Sequence, residues 1–268
     1  MNCSEPHRAY PRHRCFYVLA LLCLVAATPL SARELTEGEK QMDPQVEAQT
    51  DKTGAYRIEV GGLPLNLYFG FHHREGTLKD ENAAKEALRT TQWLAPDKNA
   101  GQENFSFEVL VPKDYSRDRP PGLLVCINAW DTGNYANHLH DAAAKANLIV
   151  VGANGSGNKR PYAMRMALAV HAADVARRRY VIDPARVYLT VYSGGAGAGN
   201  TLVYYRPDLF KGAVLMCGSA MLTPGAKYGT LLKSQPTRDQ MRILTRETGF
   251  YIITGTKDSA LSICQATA

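Results

Sequence analysis

The residues best equipped for covalent chemistry lie between Val187 and Asn200. An apolar run, Val187-Tyr188-Leu189-Thr190-Val191-Tyr192, ends in Ser193 and leads into Gly194-Gly195-Ala196-Gly197-Ala198-Gly199-Asn200. A buried strand that ends in serine and turns at once into a helix pushes the hydroxyl out at the top of a sheet. The N–H of the next residue then faces the oxyanion that forms when that hydroxyl attacks a carbonyl. Small residues after the serine suit such a turn because its backbone is strained and closely packed. The helix N-terminus adds a field that favours negative charge. The chemistry this points to is acyl transfer through a serine nucleophile. The full pattern is Gly-x-Ser-x-Gly, and Val191 stands where its first glycine would be, so the turn is expected to be crowded. A glycine-rich strand-to-helix turn without chemistry is the competing reading.

Such a serine needs a sheet beneath it, and the chain supplies one. Phe105 to Val111 alternates apolar and polar residues, while Leu123–Ile127, Leu148–Val151, Val187–Tyr192, Ala213–Cys217 and Phe250–Thr254 are nearly continuous apolar runs. Continuous runs fit strands covered by helices on both faces. Helices are expected at His138–Ala146, Tyr162–Tyr180, Gly199–Tyr205 and Thr237–Thr248. In the second of these, Met164, Leu168, His171 and Val175 form one stripe, and Arg177, Arg178 and Arg179 close the last turn, where cations offset the helix dipole. Strands alternating with helices predict an α/β architecture with a mostly parallel sheet. Antiparallel strands are expected on its N-terminal side, from a hairpin of Tyr56–Val60 with Leu63–Phe71, and Glu81–Leu94 reads as a short helix.

The 268 residues are 45% hydrophobic and 21% charged, an ordinary globular composition that excludes collagen-like, disordered and many-span membrane classes. Residues 1–32 read as a signal peptide: arginines at 8, 12 and 14, an apolar run from Phe16 to Ala27 that is short for a bilayer, and small residues to Ala32. The expected organisation is a signal peptide at 1–32, a polar lead-in at 33–55 and one domain at 56–268. The expected location is secreted or periplasmic, with no membrane span after signal removal. Taking the leader's three arginines and one glutamate from the formal +6 leaves +4. A mild, dispersed surplus is no nucleic-acid footprint. Beyond the leader stand Cys126, Cys217 and Cys264, an odd number that cannot all pair, and the first two sit in apolar runs as small hydrophobes.

Three other signals carry less. Gly152-Ala153-Asn154-Gly155-Ser156-Gly157-Asn158-Lys159-Arg160 fails both phosphate-loop patterns, since Asn158 stands where the P-loop lysine belongs and Arg160 where the third dinucleotide-fold glycine belongs. It reads as a loop on the same face as Ser193, with Asn154 a candidate substrate contact. His72-His73 and His138-x-His140 lack companion ligands at metal spacing, so no metal and no cofactor are expected. His171 on its apolar stripe reads as a core residue.

Three segments resemble the secreted esterase and polyhydroxybutyrate-depolymerase-like branch of the α/β-hydrolase superfamily. They are Tyr180-Val181-Ile182-Asp183-Pro184-Ala185-Arg186-Val187-Tyr188-Leu189-Thr190, Tyr205-Arg206-Pro207-Asp208-Leu209-Phe210-Lys211-Gly212-Ala213 and Val109-Leu110-Val111-Pro112-Lys113-Asp114-Tyr115. The resemblance covers roughly Phe105 to Asp258 and implies an α/β-hydrolase fold. It also implies a Ser–acid–His order along the chain. Ser193 matches the nucleophile, Gly194 the first oxyanion-hole N–H, and Asp258, after the Tyr251–Thr254 run, the acid. The second oxyanion donor is implied in the turn Asn128-Ala129-Trp130-Asp131-Thr132-Gly133, at Ala129 or Trp130, where many relatives carry His-Gly. No histidine follows Asp258 in Ser259 to Ala268. The resemblance therefore implies a chain that stops before its histidine, with the C-terminal part of the fold missing and activity impaired. His138 or His140 is the candidate substitute base. The implied function is an exported serine hydrolase of carboxylic esters, small or polymeric. The alternative is an inactive hydrolase-fold protein that binds an extracellular polymer or glycan.

Overall fold

The computed structural model describes residues 49–60, 105–134, 137–160, 162–218 and 238–267. The expected signal peptide, the strand at 63–71, the helix at 81–94 and the pair His72-His73 lie outside the described residues.

Among the described residues, seven strands form a single sheet: β1 (Gly54–Val60), β2 (Phe105–Val111), β3 (Gly122–Ile127), β4 (Leu148–Ala153), β5 (Val187–Tyr192), β6 (Gly212–Met216) and β7 (Gly249–Ile253). Their spatial order is β1-β2-β4-β3-β5-β6-β7. β1 and β2 pair antiparallel, β2 pairs antiparallel with β4, and the strands from β4 to β7 run parallel. This is the expected α/β architecture, with its antiparallel strands on the N-terminal side. β1 pairs with β2, about 50 residues on along the chain.

The two faces of the sheet follow from the two-residue period of a strand. Leu123, Val125 and Ile127 of β3 and Leu189 and Val191 of β5 belong to one core, while Leu124, Cys126 and Tyr188 belong to another. Helix α1 (Asn137–Lys145) covers the second face with Leu139, Ala142 and Ala143. Helices α2 (Tyr162–Arg179) and α3 (Gly195–Tyr205) cover the first. Burial on both faces explains why these strands lack alternation in the sequence. Helix α4 is Arg238–Arg246.

One expectation changes, and two details are added. Helix α2 is not a one-stripe helix, because Met166, Ala169, Val170 and Ala173 are buried as well as Met164, Leu168, His171 and Val175. It is wedged between the sheet and α3, so little of its circumference meets water. The end of the polar lead-in is tied to the domain while Asp51, Lys52 and Thr53 stay exposed: Thr50 N donates to Arg179 O at 2.8 Å, Tyr180 Oη to Lys52 O at 2.6 Å, and Arg117 pairs with Asp51 at 2.8 Å. Backbone and ionic ties of this kind leave no trace in hydropathy. Residues after Asp258 form a short helix, α5 (Leu261–Thr267), which buries Cys264.

Candidate active site

Strand β5 ends half-buried at Tyr192, and Ser193 adopts φ 51°, the left-handed region, before α3 starts at Gly195. A non-glycine residue held there costs on the order of 1–3 kcal/mol and persists only when its surroundings over-determine it. Here they do: Ser193 N donates to Met216 O at 2.8 Å and Ser193 O accepts from Ala196 N at 2.9 Å. The glycine two residues on, Gly195, is needed for a different reason, close approach. A methyl group placed on Gly195 would lie 2.3 Å from Ile127 O. Gly194, at the helix Ncap with φ −61°, has no side-chain cap, and its N–H belongs to no turn of the helix.

The missing glycine at Val191 is answered from the helix side. A methyl group on Gly199 would lie 2.2 Å from Val191 Cγ1, so the valine occupies space that a helical glycine leaves open. The expected crowding at the turn is resolved without displacing it.

Ser193 opens onto a cleft of about 500 Å³ whose walls include Tyr162, Tyr192, Gly194, Cys217 and Asp258. Ser193, Cys217 and Asp258 follow the carboxyl ends of β5, β6 and β7, the edge at which parallel sheets place their ligands. Nucleophile and expected acid, 65 positions apart in the chain, thus face one space.

Asp258 sits in a turn, its Oδ1 accepting from Ala260 N at 2.9 Å and its Oδ2 from Thr254 Oγ1 at 2.9 Å. The Ala260 N–H, then the Thr254 hydroxyl and the Cys217 thiol, hold its carboxyl below the usual range, against the opposite pull of burial. Cys217 is pushed up by burial and then by Asp258, so it stays a thiol and serves as a donor rather than a nucleophile. Because the folded pKa is depressed, Asp258 adds stability above the ordinary aspartate value of about 3.9 and loses it as pH falls through the lowered one. Thr254→Val removes one donor. Its Asp258 is expected to titrate higher by carboxyl NMR, and its melting midpoint to fall less steeply with acid than that of the parent. Unchanged titration would mean the hydroxyl does not hold the carboxylate.

The turn after β3 departs from expectation. Ala129 N–H is spent on Asn128 Oδ1 at 2.8 Å, so it is not a free second oxyanion donor. Trp130 is not among the residues lining the cleft; its indole is largely exposed and stacks on Tyr192, which is one of them. Asn154, the candidate substrate contact, is not among the cleft-lining residues. Its Oδ1 accepts from Gly133 N at 2.8 Å and its Nδ2 donates to Ser106 Oγ and Glu108 Oε1, both at 2.9 Å, so it ties β4 to β2 and to the β3 turn. The loop after β4 spends N–H groups on Asp131 rather than on an external anion: Gly157 N donates to Asp131 Oδ1 and Gly155 N to Asp131 O, both at 3.0 Å. Asn158 of that loop lies against Gly194, where an added methyl group would meet its Oδ1 at 2.2 Å.

Arg165 went unremarked in the sequence. It is 1% exposed in the first turn of α2, and its guanidinium donates to Ser156 O at 2.8 Å, Gly194 O at 2.8 Å and Asn128 O at 2.7 Å. One side chain therefore joins the loops after β4, β5 and β3, including the carbonyl of the expected oxyanion residue. Burial pulls its pKa down. The signal that pointed to it was an arginine between Met164 and Met166 on a buried helix, since a buried charge demands several partners.

No histidine is among the cleft-lining residues described. His171 is buried and packs edge-to-face on Phe107 at 5.3 Å, the core role its stripe suggested. His140 is half-buried on α1, and the side chain of His138 lies outside the described residues. Cys126, Cys217 and Cys264 are all free. Among the described residues no group of three or more potential ligands is placed to hold a metal, and no helix is long and apolar enough to cross a membrane.

No family model and no curated protein matches the chain. Similar architectures occur among solved structures. S-formylglutathione hydrolase (FrmB) from Staphylococcus aureus is similar at 9% identity, over 80% of this chain and 85% of that one, with a TM-score of 0.47. A ferulic acid esterase is similar at 10% identity, over 80% of this chain and 97% of that one, with a TM-score of 0.44. A thermostable esterase is similar at 17% identity over 64% of this chain, with a TM-score of 0.39; the match spans 58% of that esterase's length. At such identities and scores these are distant likenesses of overall shape, and the chemistry of the cleft rests on this chain's own residues.

Proposed function

We propose that the chain is a serine hydrolase of carboxylic esters, with Ser193 as nucleophile, Gly194 N–H as oxyanion donor and Asp258 as the acid of the site. The observation that carries this reading is Ser193 itself. It is held at φ 51° between a buried strand and a helix N-terminus, and it opens onto a cleft that also holds an ionised carboxylate. A left-handed backbone at a serine beside a cleft supports a role in presenting its hydroxyl. The chemistry is attack of Ser193 Oγ on the ester carbonyl, loss of the hydroxyl proton to a base, departure of the alcohol and hydrolysis of the acyl-serine by water. With no imidazole in the described wall, turnover is expected to be slow, because triads stripped of their histidine lose on the order of 10⁶-fold. Export, to the outside of the cell or a periplasm, belongs to the same proposal and is supported by the leader-like residues 1–32. So does a small or polymeric ester as substrate, supported by the depolymerase-like segments.

The same absence of a described cleft histidine favours a second reading, a binding protein that uses the cleft without turnover. Hydrolysis of 4-nitrophenyl acetate by the purified protein beside Ser193→Ala separates the two. A rate above buffer that disappears in the variant supports the hydrolase. Equal rates in protein and variant support binding alone.

A further inference from the structure

Trp130 is 60% exposed, the most exposed large apolar side chain among the described residues. Its indole stacks on Tyr192, with ring centroids 5.2 Å apart and planes 19° apart. Tyr192 is the residue before Ser193 and lines its cleft. The loop carrying the indole is fixed on both sides. Ala129 O accepts from Asn158 N at 2.9 Å, and Asp131 is bound through its backbone O to Gly155 N and through Oδ1 to Gly157 N, both at 3.0 Å. An indole that a fold could bury is instead held in water on a rigid loop, at the rim of the one cleft that bears a strained serine. A pre-ordered aromatic surface binds well because little freedom remains to be lost on contact. Its outer face is apolar and flat. The flat apolar face suits an uncharged ring.

We propose that Trp130, backed by Tyr192, is a stacking shelf that holds the flat face of a ring on the ester presented to Ser193. Two sources share this chemistry, an aryl group through its π-face and a pyranosyl unit through its C–H face. The place of the ester carbonyl rests on the hydrolase reading; the binding of the ring does not. The shelf fixes which esters are drawn to the cleft and leaves the acyl-transfer steps to the residues already named.

The test uses the Ser193→Ala protein, so that affinity is measured without turnover, and compares it with Ser193→Ala proteins that also carry Trp130→Ala or Trp130→Phe. The probes are 2-naphthyl acetate, methyl 6-O-acetyl-glucopyranoside and n-octyl acetate, the last apolar but without a flat face. Dissociation constants from ligand-observed NMR are expected to favour at least one ring ester over the octyl ester by about tenfold, or about 1.4 kcal/mol. Trp130→Ala is expected to erase that preference and Trp130→Phe to keep most of it. Which ring ester is preferred identifies the aryl or the pyranosyl source. A ring preference that survives Trp130→Ala overturns the shelf, as do equal affinities for all three esters or no binding of any. A shelf that binds rings on a protein without serine-dependent turnover would overturn the hydrolase reading alone.

Discussion

Arg165→Met is expected to destabilise the fold by about 3–5 kcal/mol. Three carbonyls, the buried ones of Ser156 and Asn128 and the half-buried one of Gly194, lose their donors together, and a buried acceptor left without a partner costs about 1–3 kcal/mol. Recovery of the guanidinium's desolvation penalty offsets part of the sum. Replacing a buried charge by an apolar side chain is often harmless when its partners are replaced too, but here the acceptors are backbone and stay. Arg165→Lys keeps the charge and loses the planar fork that reaches three positions at once, so it is expected to fall between the two. Urea unfolding checks the series. A cost below 1 kcal/mol for Arg165→Met would show that water or loop movement satisfies the three carbonyls. Gly194 O is one of the three, so any serine-dependent rate is expected to drop with Arg165→Lys even where the protein remains folded.

Gly199→Ala is the second large effect expected, and its sign runs against helix propensity. Alanine in a helix is ordinarily worth about 1 kcal/mol over glycine. At this position the new methyl would meet Val191 Cγ1 at 2.2 Å and Leu189 Cδ2 at 3.0 Å, both in a packed core. Overpacking of this kind costs typically 1–3 kcal/mol, and we expect a net loss of about 2 kcal/mol. Val191→Ala removes the opposing methyl. The double variant is therefore expected to be more stable than the sum of the two single changes by at least about 1 kcal/mol, the coupling that touching residues show. Additive losses would mean that valine and glycine do not share this space.

Much of the fold could be read from the residues because its central strands are buried on both faces and so appear as continuous apolar runs. Register and partner choice were less visible: β1 pairs with β2 across about 50 residues, and no local pattern encodes that. The start of α3 was missed by four residues. Gly195, Ala196, Gly197 and Ala198 have no helical signature of their own, and the strained turn before them starts the helix. That Ser193 and Asp258 share one cleft could be anticipated because each follows the end of an apolar run, where a parallel sheet exposes its carboxyl edge. Ala129 was misassigned because the sequence does not show that Asn128 folds back onto its N–H. Arg165 was hidden by its neighbours' hydrophobicity, and its role depends on three loops from separate parts of the chain.

Covalent labelling of the purified protein with a fluorophosphonate, followed by peptide mapping, tests the central claim most directly, because only an activated serine phosphonylates readily. The proposed function predicts one adduct, on Ser193, that forms faster than on the heat-unfolded protein and is absent from Ser193→Ala. Labelling at another residue, or labelling of Ser193 no faster than in the unfolded chain, would contradict it.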